Sequence, residues 1–387
     1  MYRSISEKYT ESNIKFQSIA NFQFNKKNTF QIGGTYTHLM YYFNYKEDEF
    51  NSGDLVSLSK SNGSSDLIQS FISWKYRLNN NLTLVSGINH TSFLLNNNFV
   101  VEPRVALKWQ QSLKNDFSAG FGMHSKLESI SAYLRNELDA NGNYIYPNNE
   151  LDFTKSIHYV VGYGRRITEN LRLKSEIYYQ QVYNIPVEND STSSFSLLNY
   201  GSGMNSNPLV NKGKGQNYGV ELTLERYFEN NFYFLVTGSI YNATYKTLEN
   251  KIRNSHYNGN FAFNVLGGKE FIVGAKKNKT IGLNAKIAVI GGGRYTPIDL
   301  DASISSNTTV LMNEQAWEGK SDVVFIPNFG ITYRVNKARM SHSIKLDIQN
   351  VSNNQARLYP YYNANKKNIE WSTQLSLIPN IIYTIKF

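Results

Sequence analysis

The side chains with the widest chemical reach are six histidines: His38, His90, His124, His158, His256 and His342. They are dispersed, and no two have the spacing of a helical zinc pair such as HExxH. The chain contains no cysteine, which removes disulfides, thiolate metal sites and thiol nucleophiles together. No GxSxG turn offers a serine nucleophile. Gly291-Gly292-Gly293 lacks the following lysine and helix of a phosphate loop, so it reads as a strand end or bulge. Gly213 and Gly215 read as part of a loop before a strand. Asp347 and Glu221 fall within alternating runs, where water or basic neighbours such as Lys345 satisfy a carboxylate. These residues imply no catalytic, metal or cofactor site, and the chain is not expected to be an enzyme.

The elements that would carry these side chains are strands. Tyr218, Val220, Leu222 and Leu224 alternate with Gly219, Glu221, Thr223 and Glu225, the period-two signature of an extended chain. The same holds for Leu171, Leu173, Ile177 and Tyr179 against Arg172, Lys174, Glu176 and Gln180. It recurs in Ile281, Leu283, Ala285, Ile287 and Val289, and in Ile344, Leu346 and Ile348. Alternation alone fits a half-buried soluble sheet. Length discriminates: the runs cover about 10 to 15 residues, whereas soluble strands average roughly 5 to 6 and a tilted membrane-spanning strand needs about 9 to 11.

Connections divide by length. Tight polar turns occur at Asn25-Lys26-Lys27-Asn28, Asn79-Asn80-Asn81, Lys114-Asn115-Asp116, Thr168-Glu169-Asn170, Glu229-Asn230-Asn231, Lys276-Lys277-Asn278-Lys279 and Asn336-Lys337-Ala338-Arg339. Between most of them lie long polar segments at residues 44–66, 126–152, 184–215, 295–322 and 352–368, with a short exception near Asn96 to Asn98. Short turns on one side and long loops on the other is the pattern of an outer-membrane barrel. About fifteen strands are expected, beginning near Ile14, Thr29, Leu67, Leu82, Phe99, Phe117, Phe153, Leu171, Gln216, Phe232, Phe261, Thr280, Val323, His342 and Trp371. With 28 Tyr and 22 Phe, many near strand ends, the chain has the material for interfacial aromatic girdles. The formal net charge of +10 is scattered through turns rather than gathered on a recognisable module, so no nucleic-acid partner is expected. No stretch approaches the ~20 apolar residues of a membrane helix.

The final strand alternates Ile381, Tyr383, Ile385 and Phe387 with Asn380, Thr384 and Lys386. A terminal aromatic after such a pattern resembles the signal read by the outer-membrane barrel-assembly machinery. Longer stretches resemble the barrel of TonB-dependent outer-membrane receptors. They are NFVVEPRVALKW with Glu102-Pro103-Arg104, KSIHYVVGYGRR from Lys155, SEIYYQQVYNIPV ending at Val187, and GKGQNYGVELTLERYF from Gly213. IGGGRYTPIDL from Ile290, HSIKLDIQNVSNNQ from His342 and the closing WSTQLSLIPNIIYTIKF complete the set. The resemblance covers nearly the whole chain.

That resemblance implies an all-β, antiparallel transmembrane barrel in the cell outer membrane, for active uptake of a nutrient such as a metal chelate, oligosaccharide or peptide. Such receptors have twenty-two strands, a plug domain and a TonB-contacting segment. About fifteen strands and no plug are visible, so residues 1–387 are expected to form one partial barrel domain, the carboxy-terminal two-thirds. This also accounts for an amino terminus, MYRSISEKYT, without the apolar core of a secretory signal. Expected partners are outer-membrane lipid, the assembly machinery through the strand ending at Phe387, TonB only through a plug, and room for a surface lipoprotein. Ligand contacts are expected from lumen-facing side chains and the loops at 183–215 and 295–322, including Trp317. A complete smaller passive porin and a secreted all-β adhesion or carbohydrate-binding protein are the alternatives; barrel closure separates the first, a second packed layer the other.

Overall fold

The computed structural model describes residues 5–47, 56–139, 141–200 and 207–387. Fifteen strands follow one another in a single antiparallel sheet, each bonded to its sequence neighbours. They are β1 Ile5–Gln23, β2 Asn28–Glu47, β3 Val56–Arg77, β4 Leu82–Phe93, β5 Asn98–Gln110, β6 Asn115–Lys126, β7 Thr154–Arg166 and β8 Leu171–Glu188. Then come β9 Leu209–Glu229, β10 Phe232–Lys246, β11 Phe261–Val273, β12 Lys279–Ile290, β13 Val324–Asn336, β14 Ser341–Gln349 and β15 Ile378–Lys386. A short sixteenth segment, Arg253–Asn254, pairs with β10. Among the described residues, no ladder joins β1 to β15, so both edges of the sheet are open.

The register makes one face apolar from β7 to β15. Ile177 lies opposite Val161 on β7 and Val220 on β9, and Val220 lies opposite Ile240 on β10. The row continues through Val236, Val265, Ile287 and Pro327, and through Ile331, Leu346 and Ile381. These side chains pack against no second layer: Val220 is 49% exposed, Ile240 63% and Ile381 75%. In water such a band would be strongly unfavourable at about 25 cal/mol per Å2; against hydrocarbon it is not.

The opposite face is polar along most of its length, with Lys174, Glu176, Gln180, Asn217, Glu221, Asn264, Asn284, Lys345 and Asp347 in the same register. It is the inner face, because the loops fold onto it. Phe43, Phe93 and Val100 project from its outer end and pack against Ile130, Tyr133, Leu134, Leu151 and Phe153 of the 127–153 loop, which contains the short helix α1 Ile130–Tyr133. Val182, Ile185 and Val187 of β8 similarly pack against Leu198. The core therefore sits at the outer mouth, and the rest of the sheet is one layer thick.

Sequence composition sets the connections. Every predicted tight turn occurs. Glu229 pairs with Phe232, and Asn230 and Asn231 between them both take positive φ, 53° and 60°. That is the two-residue turn whose twist matches paired strands, and Asn tolerates it better than most residues. At the outer side, strands reach further than expected. Residues 44–47 and 56–66 belong to β2 and β3 rather than a loop, 184–188 and 209–215 to β8 and β9, and Gly213 and Gly215 lie inside β9. β1 starts at Ile5, not near Ile14. These strands have 18 to 22 residues, far beyond the about 9 to 11 that cross a bilayer. Their outer ends need no lipid-facing alternation, so the pattern fades while pairing continues.

Two further differences concern loops. The 247–260 connection between β10 and β11 is long, although no loop was expected there. The last strand begins at Ile378 rather than Trp371. Trp371 belongs to a separate hairpin, Arg357–Asn363 with Asn368–Thr373. Asn350 holds the chain off the sheet by donating to the carbonyls of Asn354 and Leu375 (2.8 and 2.9 Å). Among the described residues no helix is long and apolar enough to cross a membrane.

Candidate functional site

One side of the outer mouth is assembled by three loops, and a buried arginine ties two of them together. Arg253, in the 247–260 loop, is 5% exposed. Its guanidinium pairs with Glu249 and donates to the carbonyls of Glu314 (3.0 Å) and Ala316 (3.4 Å) in the 291–323 loop. Glu249 holds Arg253 firmly protonated, raising it above the ordinary arginine value against the cost of burial. The 189–200 segment joins through Ser193 and Ser194, whose carbonyls accept from Thr247 Oγ1 (2.7 Å) and Tyr245 Oη (2.8 Å). Asn199 Oδ1 accepts from the His256 amide at 2.8 Å. The 291–323 loop carries the helix α2 Leu300–Ser306, capped by Asp299, whose carboxylate accepts from the Ala302 amide.

Trp317 stands at the junction. Its φ is +62°, a left-handed conformation that an aromatic residue adopts only at a cost of about 1 kcal/mol or more. The neighbours hold it there: its amide donates to Thr296 Oγ1 (3.3 Å), and its ring meets His256 edge-on at 5.0 Å and Tyr200 at 5.9 Å. Tyr200 stacks on Phe195 at 4.7 Å, and Tyr257 is 66% exposed beside His256. Burial pushes the Tyr200 hydroxyl upward, with Glu188 adding to it, so it is a neutral donor. The result is a half-exposed aromatic wall drawn from all three loops.

Below it, the inner wall carries a polar patch. Arg104 Nη2 donates to Glu102 (2.7 Å), and Glu102 also accepts from Ser125 Oγ (2.6 Å). His124 and His158 lie on neighbouring strands with ring centres 4.4 Å apart. Asn217 donates to Gln180 Oε1, and Gln180 Nε2 then donates to His158 Nε2, both at 2.7 Å. That direction makes His158 Nε2 an acceptor. Asn89, Arg104, His124 and His158 share a concavity of about 540 Å3.

Of the residues singled out in the sequence, Trp317 and the two expected loops do meet. His256 joins them, whereas His38 binds Asp66 (2.8 Å), His90 contacts Ser92, and His342 lies against Tyr383 at the far end. Asp347 pairs with Lys345 at 2.9 Å. Gly291 follows the end of β12, where its backbone comes so close to Gly259 that an added Cβ would sit 1.9 Å from that carbonyl. Among the described residues no three metal-ligating side chains cluster. Sequence reading missed the 247–260 loop and with it Arg253. The run Asn254 to Asn260, with three asparagines and a glycine, was the available signal.

No family model and no curated protein matches the sequence. Solved structures do match its fold. The ferric yersiniabactin uptake receptor FyuA from Yersinia pestis superposes with a TM-score of 0.63 at 12% identity, covering 99% of this chain and 55% of that one. The ferric-catecholate import receptor Fiu from K12 E. coli gives 0.61 at 12% identity, with 99% and 55% covered. The ferric preacinetobactin receptor BauA from Acinetobacter baumannii gives 0.59 at 11%, with 98% and 55% covered. The fold is thus that of outer-membrane receptor barrels, as the sequence resemblance implied, and this chain spans about half the length of the solved receptors it matches.

Proposed function

We propose that residues 1–387 are the barrel portion of a TonB-dependent outer-membrane receptor that takes up a nutrient such as a metal chelate, oligosaccharide or peptide. The observation that carries this reading is the two-sided character of one continuous sheet: an apolar band faces outward, and a polar wall faces inward beneath loops that fold over the mouth. Lipid offers no hydrogen bonds, so a membrane sheet must close. The open edges along β1 and β15 call for further strands and, inside them, a plug that TonB could pull. A passive porin built from this chain alone would need β1 paired with β15. An adhesin would need a second layer against the apolar band. In this reading the strand ending at Phe387 would be the contact for the assembly machinery, and a surface lipoprotein is a further candidate partner.

The reading is tested in an outer-membrane host that produces the receptor, with and without TonB. Radiolabelled ferric chelates, oligosaccharides and peptides are offered separately. Selective accumulation of one class that stops without TonB is expected. Unselective, TonB-independent flux would contradict it.

A further inference from the structure

Arg294 and Lys320 face each other across a two-residue ladder at the base of the 291–323 loop. Their charged ends converge on one neutral atom. Lys320 Nζ donates to Asn260 Oδ1 at 2.9 Å and Arg294 Nη2 to the same oxygen at 3.2 Å. Arg294 Nε is spent on the Asn258 carbonyl at 3.1 Å. Three other cations of the mouth are matched by a carboxylate: Arg253 by Glu249, Lys251 by Glu318 and Arg357 by Asp322. Among the described residues, no carboxylate lies within 4.0 Å of Arg294 or Lys320. Partial loss of water lowers the proton affinity of Arg294, and slight loss of water around its ammonium and then the Arg294 charge lower that of Lys320. Two like charges held together without compensation repel, and the arrangement is relieved when an anion enters.

We infer that Arg294 and Lys320, set over Asn260, form an oxyanion subsite at the outer mouth that takes a carboxylate or phosphate group of a ligand. An arginine fork beside a lysine point charge suits such a group, because charge-assisted hydrogen bonds are about twice as strong as neutral ones. His256 ties the subsite to the aromatic wall: its Nδ1 donates to the Arg294 carbonyl at 2.9 Å while its ring packs on Trp317. A ligand carrying an anionic group and a flat body would engage both. The subsite depends on the receptor reading only for placing these loops outside the cell.

The test is calorimetric titration of the full chain in lipopolysaccharide-free detergent with citrate and with inorganic pyrophosphate; maltoheptaose is the neutral control. Saturable, salt-sensitive binding of the anions alone is expected. Lys320→Gln and Arg294→Gln should each weaken it about tenfold, and Lys276→Gln, in a turn at the opposite end, should not. Lys320 is exposed, so its variant carries the test even if Arg294→Gln fails to fold. No saturable anion binding, unchanged affinity in Lys320→Gln, or equal binding of the sugar would overturn the inference. Displacement of pyrophosphate by added lipopolysaccharide would assign the anion to a lipid headgroup, and no displacement to a soluble ligand; both uphold the subsite. The readout is binding and not transport. Failure of uptake would leave the subsite standing, and failure of binding would leave the barrel standing.

Discussion

Arg253 is clasped by Glu249, four residues before it, and the pair is almost wholly withdrawn from water, with side chains 4% and 14% exposed. Removing one partner strands the other charge. Arg253→Met is expected to cost about 3 kcal/mol locally, and the double variant with Glu249→Met less. Limited proteolysis reads this directly: cleavage near residues 249–253 and 313–318 should rise sharply in the single variant and only modestly in the double one. Equal sensitivity of wild type and Arg253→Met would count against the clasp.

The outer hairpin should resist acid. Lys366, then Asn363 and Tyr361, hold the Glu370 carboxyl down to about 2 from its ordinary 4.5. A depressed folded value stabilises the hairpin above pH 4.5, and that contribution fades as pH falls from 4.5 through about 2. Amide protection in residues 357–373, corrected for intrinsic exchange, should therefore fall between pH 4.5 and about 2, and Glu370→Gln should remove that fall. Protection that does not change between pH 4.5 and 2 would show the carboxylate to be unperturbed.

Gly291 admits no side chain. The 1.9 Å approach of its missing Cβ to the Gly259 carbonyl means that Gly291→Ala must push the 247–260 loop away. Overpacking of this kind costs about 1–3 kcal/mol. Increased cleavage at residues 254–260 is expected, while Gly120→Ala, whose new methyl would lie 4.0 Å from the Val105 carbonyl, should behave as wild type.

How much of this was legible in the sequence follows from what the two faces touch. Where a strand crosses lipid, as at Val220 against Glu221, solvent on one side and hydrocarbon on the other impose alternation, and strand and turn were both readable. Above the membrane, both faces of β1 and β2 meet water or loop, so the physical cause of the pattern is gone, and the first strand was expected to begin only near Ile14. The mouth was less legible still. Trp317 was named because it sits in one of the two long loops expected to meet a ligand. Arg294 and Lys320 lie far apart in sequence, and only the fold makes their shared lack of a carboxylate visible.

Which face of the sheet meets lipid can be measured directly, because the chain has no cysteine. Single cysteines at Leu222, Ile287 and Leu346 on the apolar face, and at Glu221, Lys286 and Lys345 on the polar face, can be treated in native membranes with a membrane-impermeant maleimide. The account expects the second set to label and the first to be protected until detergent is added. Prompt labelling of the first set, or protection of both, would contradict it.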